Sequence, residues 1–143
     1  IWTEPYVDAT KGNMIVSGAQ TITVDGKLIG VYAIDIDLTK LSETIRSTVV
    51  GTAGHLVLMD KNGKVVLHKD NDYLGKDLSA EAWVKTILSE NEKDILPYKY
   101  NGASNYLSFT TNQSTGWKIY GTIAASEIVD KAADVRDLLI LVA

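Results

Sequence analysis

The sequence predicts an α+β fold, antiparallel strands joined by tight turns with a few short helices beside them. Three observations carry that expectation. Asp25-Gly26 and Asn62-Gly63 each sit between apolar or β-branched runs, a strong hairpin signal. Leu28 to Ile34 is an almost unbroken apolar run too short for a membrane span, the pattern of a strand covered on both faces. Leu38, Leu41, Ile45 and Val49 then recur at the spacing of an amphipathic helix, with Asp37 or Thr39 as its cap.

The 143 residues suit one ordinary domain, or one small domain plus part of another. A hydrophobic share of 45% fits a soluble globular fold. The net charge of −4 and the lack of a basic cluster argue against a nucleic-acid partner. Zero cysteines exclude a disulfide framework and a thiolate metal site. The chain starts without Met and without a signal peptide, so it reads as a piece of a longer protein. Leu138 to Ala143 is uncharged to the last residue. Spanning a bilayer takes roughly 20 residues, so this run reads as the opening turns of a span, or else as the apolar end of a docked helix.

Element by element, Pro5 holds the opening residues extended and Thr10 to Asn13 is turn chemistry. Met14 to Val24 is a strand, and Asp25-Gly26 turns it into the Leu28 strand. The helix from Thr39 runs toward Gly51. A second hairpin pairs His55–Met59 with Val65–His68 through a type I′ turn at Asn62-Gly63. Lys69 to Lys76 is a polar loop; Ser79 caps a helix to about Asn91 that buries Ala82, Trp83, Ile87 and Leu88; Glu90 to Asp94 is its solvated end. Three strands follow, Ile95–Tyr100, Tyr106–Thr111 and Trp117–Ile123, and Ser126 caps a final helix.

The two ends of the chain echo each other about ninety residues apart. Pro5-Tyr6 matches Pro97-Tyr98, Gly12 matches Gly102, and Asp25-Gly26 matches Thr115-Gly116. Each set ends in a strand that feeds a capped helix, as in a tandem duplication. The hairpin and helix of residues 55–91 have no counterpart ahead of the first set, so the chain begins in the middle of its first module.

Few residues carry candidate chemistry. There are two histidines and no Gly-x-Ser-x-Gly elbow, so no catalytic residue is assigned. A metal site from His55, His68 and Asp60 or Asp70 is weaker than a structural role for His68. Asp70 to Gly75 imitates a calcium loop with Glu81 at its twelfth position, but Leu74 stands where an oxygen is needed. No Gly-rich phosphate cradle is present, and no cofactor is expected. Tyr6, Asp8 and Asp35 are a better set: two carboxylates and a phenol at neighbouring strand mouths suit an ammonium group, with Trp2 or Tyr32 as a cation–π wall. A turn role for Asp8 and a helix-start role for Asp35 stand beside that reading, and spacing alone favours these roles.

A resemblance shifts the balance. WTEPYVDATKG and IVSGAQTITVDGKLIGVYAIDIDLTKL resemble the second half of the membrane-distal module of a double Cache (dCache_1) sensor domain. AGHLVLMDKNGKVVLHKDNDYLGKDL, then YKYNG and STGWKIYGTIAASEI, resemble its complete membrane-proximal module. The resemblance implies PAS-like sheets flanked by helices, with residues 1–38 ending the distal module, 39–50 a connecting helix, 51–125 the proximal module, and 126–143 a helix leading to a transmembrane segment. It implies an extracytoplasmic sensor of a bacterial methyl-accepting chemotaxis receptor, held in the membrane by flanking helices and dimeric in the full receptor. Sensor regions of histidine kinases or cyclic-dinucleotide enzymes, and a non-binding spacer or dimerisation module, are the alternatives. In amino-acid-sensing members a tyrosine and aspartate of a PYxD-like strand and an aspartate ending a GVxxxD strand take the ligand's ammonium. Tyr6, Asp8 and Asp35 match those positions. The arginine and aromatics that hold the ligand carboxylate come from earlier in such chains and are absent here.

Overall fold

The computed structural model describes residues 1–130, in two compact units, the first Ile1–Thr44 and the second beginning at Ile45. The expected apolar run at residues 138–143 lies outside the described residues, as does the expected final helix beyond Asp130.

The first unit is a three-stranded antiparallel sheet of β1 (Tyr6–Val7), β2 (Met14–Val24) and β3 (Lys27–Asp37), in the order β1-β2-β3. Asp25 and Gly26 both have positive φ (50° and 74°), the two-residue type I′ turn that the Asp-Gly pair predicts. Residues 1–3 prolong the edge: Trp2 bridges Gly18, and the Thr3 N–H donates to the Ser17 carbonyl at 2.9 Å. Pro5 separates this stretch from β1; it has no N–H to give, which an edge strand tolerates.

The strand expected to be covered on both faces is in place but uncovered. Leu28, Val31 and Ile34 are 58%, 63% and 45% exposed. An apolar run reports what its side chains prefer, and the described residues lay no second layer over them. At its end the Thr39 N–H donates to Asp37 Oδ1 at 2.8 Å and opens α1 (Thr39–Ser47). Hydrogen bonds from Thr39 hold the Asp37 carboxyl below its usual range. The helix is shorter than expected: Val49 leaves it to begin β4 (Val49–Val50), because β-branched side chains favour extended backbone.

The second unit continues with β5 (Gly54–Met59), β6 (Val65–Leu67), α2 (Ala82–Ser89), β7 (Glu92–Tyr100), β8 (Ala103–Thr111) and β9 (Lys118–Ala124). Its six-stranded sheet runs β4-β5-β9-β8-β7, with β6 also pairing with β5. Alternation along each strand sends one set of side chains to one face. On it lie His55, Val57 and Met59, then Tyr120 and Thr122, Leu107 and Phe109, and Leu96, Tyr98 and Tyr100, as the pairing register requires. Trp83, Val84 and Ile87 of α2 join many of these residues in the core cluster.

Five local expectations are corrected here. The β5–β6 turn is not type I′: Gly63 has φ 92°, but among the described residues the only non-glycines with positive φ are Asp25 and Asn101. Buried Asp60 reorganises the loop, its Oδ1 accepting from the N–H groups of Asn62 and Lys64 at 2.8 Å each. The type I′ pair of this unit is Asn101-Gly102 (φ 49° and 80°), between β7 and β8. Ser79 does not cap α2. Its N–H is taken by Asp77 Oδ1 at 2.9 Å, the helix starts at Ala82 with Ala82 exposed, and the expected charged end becomes the start of β7. The last helix begins at residue 125, so Ser126 lies inside its first turn.

Candidate functional site

The candidate site is built across the first sheet. Residues paired between strands share a face, and Tyr6 pairs with Ile15, Ile15 with Asp37, and Ser17 with Asp35. Tyr6, Ser17 and Asp35 therefore point to one side. Their side chains form a lateral row: the Tyr6 hydroxyl lies 2.6 Å from Ser17 Oγ, and Ser17 Oγ donates to Asp35 Oδ1 at 2.5 Å. An ionised carboxylate only accepts, so the single Ser17 proton goes to Asp35 and the Tyr6 proton goes to Ser17. Two acceptors remain, the Tyr6 oxygen and Asp35 Oδ2.

Ser17 is held in turn through its backbone, its N–H donating to Thr3 Oγ1 at 2.9 Å. Asp8 follows β1 directly but closes its own turn, with Oδ1 accepting from the Thr10 N–H at 2.7 Å. Its N–H donates to the Asn13 carbonyl and its carbonyl accepts from the Gly12 N–H, both at 2.8 Å. Of the three expected residues, then, two share a hydrogen-bonded row and the third keeps the turn role that spacing alone had favoured. Ser17 is the member the sequence reading missed.

The expected aromatic wall is misplaced. Tyr32 pairs with Gln20 and Ile34 with Gly18, so Tyr32 projects from the opposite face to Ser17 and Asp35. Trp2 is on that opposite face too: a Cβ added to Gly18 would lie 3.0 Å from its ring. Trp2, Gly18, Tyr32 and Ile34 help line a separate hollow of about 200 Å³. Neither aromatic can stack on a cation held by Asp35 from the Tyr6 side.

Among the described residues no group of three or more His, Cys, Asp or Glu is placed to hold a metal ion. Asp70, considered above for metal, instead accepts the Asp72 N–H at 2.9 Å and caps a one-turn helix at Asn71–Tyr73.

An antiparallel sheet with flanking helices, preceded by a smaller three-stranded sheet, defines the class as a PAS-like Cache sensor fold. The chain belongs to the Cache-domain family dCache_1, matched over residues 1–132. It is 37% identical over 143 residues to the methyl-accepting chemotaxis protein McpB of Bacillus subtilis (strain 168), covering 99% of this chain and 21% of McpB. It is 36% identical over 135 residues to TlpA of the same organism, also a methyl-accepting chemotaxis protein, covering 94% of this chain and 20% of TlpA. The chain thus spans about a fifth of the length of these relatives. Among solved structures it is similar to the ligand-binding domain of the Pseudomonas aeruginosa PAO1 amino acid chemoreceptor PctC in complex with GABA. There the TM-score is 0.64 at 29% identity, with 86% of this chain and 55% of that one covered. It is also similar to the ligand-binding domain of the Pseudomonas fluorescens chemoreceptor CtaA in complex with L-leucine, at TM-score 0.62 and 26% identity, covering 88% of this chain and 53% of that one. These relatives support a sensor role. No helix of the described residues is long and apolar enough to cross a membrane.

Proposed function

We propose that this chain is part of the extracytoplasmic ligand-sensing region of a transmembrane chemoreceptor and that it takes the ammonium group of an amino acid or similar amine. The observation that carries this reading is the Tyr6–Ser17–Asp35 row. It leaves one carboxylate oxygen and one phenol oxygen as acceptors on the same face of a sheet. An ammonium brings three donors and no acceptor, so it complements such a pair by charge-assisted hydrogen bonds. Asp8 adds a second negative charge beside β1 through the carboxylate oxygen its turn does not use. GABA and L-leucine, bound by two of the similar domains, have only an ammonium and a carboxylate in common as polar groups, which supports an amine-directed site. Residues 1–38 would close the distal module of a duplicated sensor and residues 51–125 form the proximal one. The helix starting at residue 125 would carry the signal toward the membrane. The receptor would be a homodimer, and no enzymatic step is assigned to it.

The test is calorimetry on the receptor's whole extracytoplasmic region with a panel of amino acids, native and with Asp35→Ala. A hydrogen bond to a charged group contributes about 1.5–3 kcal/mol, so the affinity is expected to fall at least about tenfold. Unchanged affinity sinks the site assignment.

A second reading rests on the uncovered apolar residues of β3: a spacer or dimerisation module with no small ligand. It requires that the same region show no thermal shift with any amino acid.

A further inference from the structure

The second unit contains a cavity of about 400 Å³ that has no part in the Tyr6–Asp35 row. Its size falls within the roughly 300–1,000 Å³ of small-molecule sites. Five large aromatic rings line it, those of Tyr73, Trp83, Tyr98, Tyr100 and Tyr120. Trp83 and Tyr98 rings lie 4.6 Å apart and Trp83 and Tyr120 rings 5.8 Å apart, so these walls are packed against one another rather than loosely hung.

Several polar groups on the walls can donate. His68 Nδ1 lies 2.9 Å from the Asp70 N–H and 3.1 Å from the Asp70 carbonyl oxygen, so either tautomer of the ring finds a partner in Asp70. In the tautomer that accepts from the N–H, His68 gives its Nε2 proton to His55 Nε2, 2.9 Å away, and the His55 ring keeps an Nδ1–H to offer. A carboxylate bound at His55 selects that tautomer. Burial pushes the His55 imidazole down to about 4, so it is neutral at ordinary pH. Trp83 adds an indole N–H that is buried without an acceptor among the described residues.

The charge balance has the same sense. Lys69 and Asp70 both line the cavity, and Asp70 Oδ1 accepts from the Asp72 N–H. The Lys69 ammonium touches only the Ala53 carbonyl, at 3.4 Å, and Lys76 stands behind Tyr73 with its ammonium 4.2 Å from the ring centroid. Among the described residues neither lysine pairs with a carboxylate.

We infer that this cavity is a second binding site, for a small monocarboxylate with an aromatic or aliphatic body. The ring walls take the body, and the His55 Nδ1–H and the Lys69 ammonium take the carboxylate. An amine is disfavoured by repulsion from the Lys69 ammonium on the wall and the Lys76 ammonium over the Tyr73 ring. This site would sit in a different unit from the amine row and takes the opposite charge, so one receptor would read two ligand classes.

The test uses benzoate and pentanoate as probes on the chain, with benzamide and benzylamine as neutral and cationic counterparts, followed by calorimetry and by NMR of the imidazole ring protons. The expected result is that benzoate or pentanoate binds, benzamide binds at least tenfold more weakly, and benzylamine does not bind. The His55 and His68 ring signals shift with the same saturation curve. Lys69→Met weakens benzoate about tenfold and leaves benzamide unchanged, whereas Asp35→Ala changes neither. The inference is overturned if neither carboxylate binds or benzylamine binds as tightly as benzoate. It is equally overturned if the imidazole signals stay fixed at saturation, if Lys69→Met has no effect, or if Asp35→Ala abolishes the binding.

Discussion

Ser17 has one proton to give, and where it goes decides what the site can accept. Given to Asp35, it neutralises one carboxylate lone pair, obliges Tyr6 to donate, and leaves acceptors facing a ligand. Ser17→Ala breaks the row at its centre, freeing Tyr6 to rotate while keeping both charged and phenolic groups. We expect amino-acid affinity to fall about three- to tenfold and stability by about 1 kcal/mol, measured by calorimetry and urea unfolding of the same variant. No change in affinity would mean that the row does not organise the site. At this scale the sequence singled out Tyr6 and Asp35 but not Ser17, which links them, for a reason that lies in the ladder. Counting back from the Val24–Lys27 pair in strict register puts Ser17 opposite Ile34; the irregularity between Ile22 and Thr23 shifts it to Asp35. A one-residue irregularity is invisible in the sequence, yet it creates the site. The displaced aromatic wall is a different case. Tyr32 and Asp35 are an odd number of residues apart on one strand, which already places them on opposite faces.

The β4–β5 link shows how tightly the elements of the second unit are joined. Gly51 has φ 65° and faces the carboxylate of Glu127, which accepts from the Thr52 N–H and, at 3.3 Å, from the Ala53 N–H. The start of the last helix is thereby fastened to the same short link whose Ala53 carbonyl receives Lys69 at the cavity. Gly54 is tighter still: a Cβ there would lie 2.2 Å from the Thr122 carbonyl oxygen and 2.5 Å from that of Val50. Since both are backbone atoms, Gly54→Ala must part the strands. A loss of at least about 1–3 kcal/mol is expected, read as a lower urea midpoint at unchanged slope; a midpoint equal to that of the native chain would show that the link yields freely. Strands, hairpin order and α2 were legible because periodicity and turn residues report them locally. The ends of α1 and α2 and the β5–β6 turn were not. α1 stops where β-branched Val49 enters β4, and the β5–β6 turn and the start of α2 depend on how Asp60 and Asp77 capture neighbouring N–H groups. The cavity was missed because Tyr98 and Tyr100 meet Trp83 and Tyr120 only after long-range pairing.

For the molecule as a whole, the paired histidines set a pH dependence. His55 falls from its usual 6.5 to about 4, chiefly by burial and then by the charges of Lys69 and His68, and burial lowers His68 as well. Between those values the unfolded chain binds protons that the native chain does not. Stability is therefore full above about pH 6.5 and declines as pH falls toward 4. Because these rings are partly solvated, the loss by pH 5 is on the order of 1 kcal/mol, or about 3 °C in Tm. Asp37 and Asp77, whose carboxyls are lowered, lose their contributions only below their ordinary 3.8, so they do not contaminate this window. A melting curve flat from pH 7 to 5 would contradict burial of the pair.

The central claim is that the first unit recognises an ammonium through Asp35, and the most direct measurement removes each partner in turn. Calorimetry on the whole extracytoplasmic region compares the amino acid that binds best with its analogue lacking the amino group, against the native chain and Asp35→Ala. The account predicts that either change alone weakens binding at least about tenfold and that the second adds little once the first is made. If the two losses are additive, or if Asp35→Ala leaves discrimination between the amino acid and its deaminated analogue intact, the ammonium is held elsewhere and the claim is wrong.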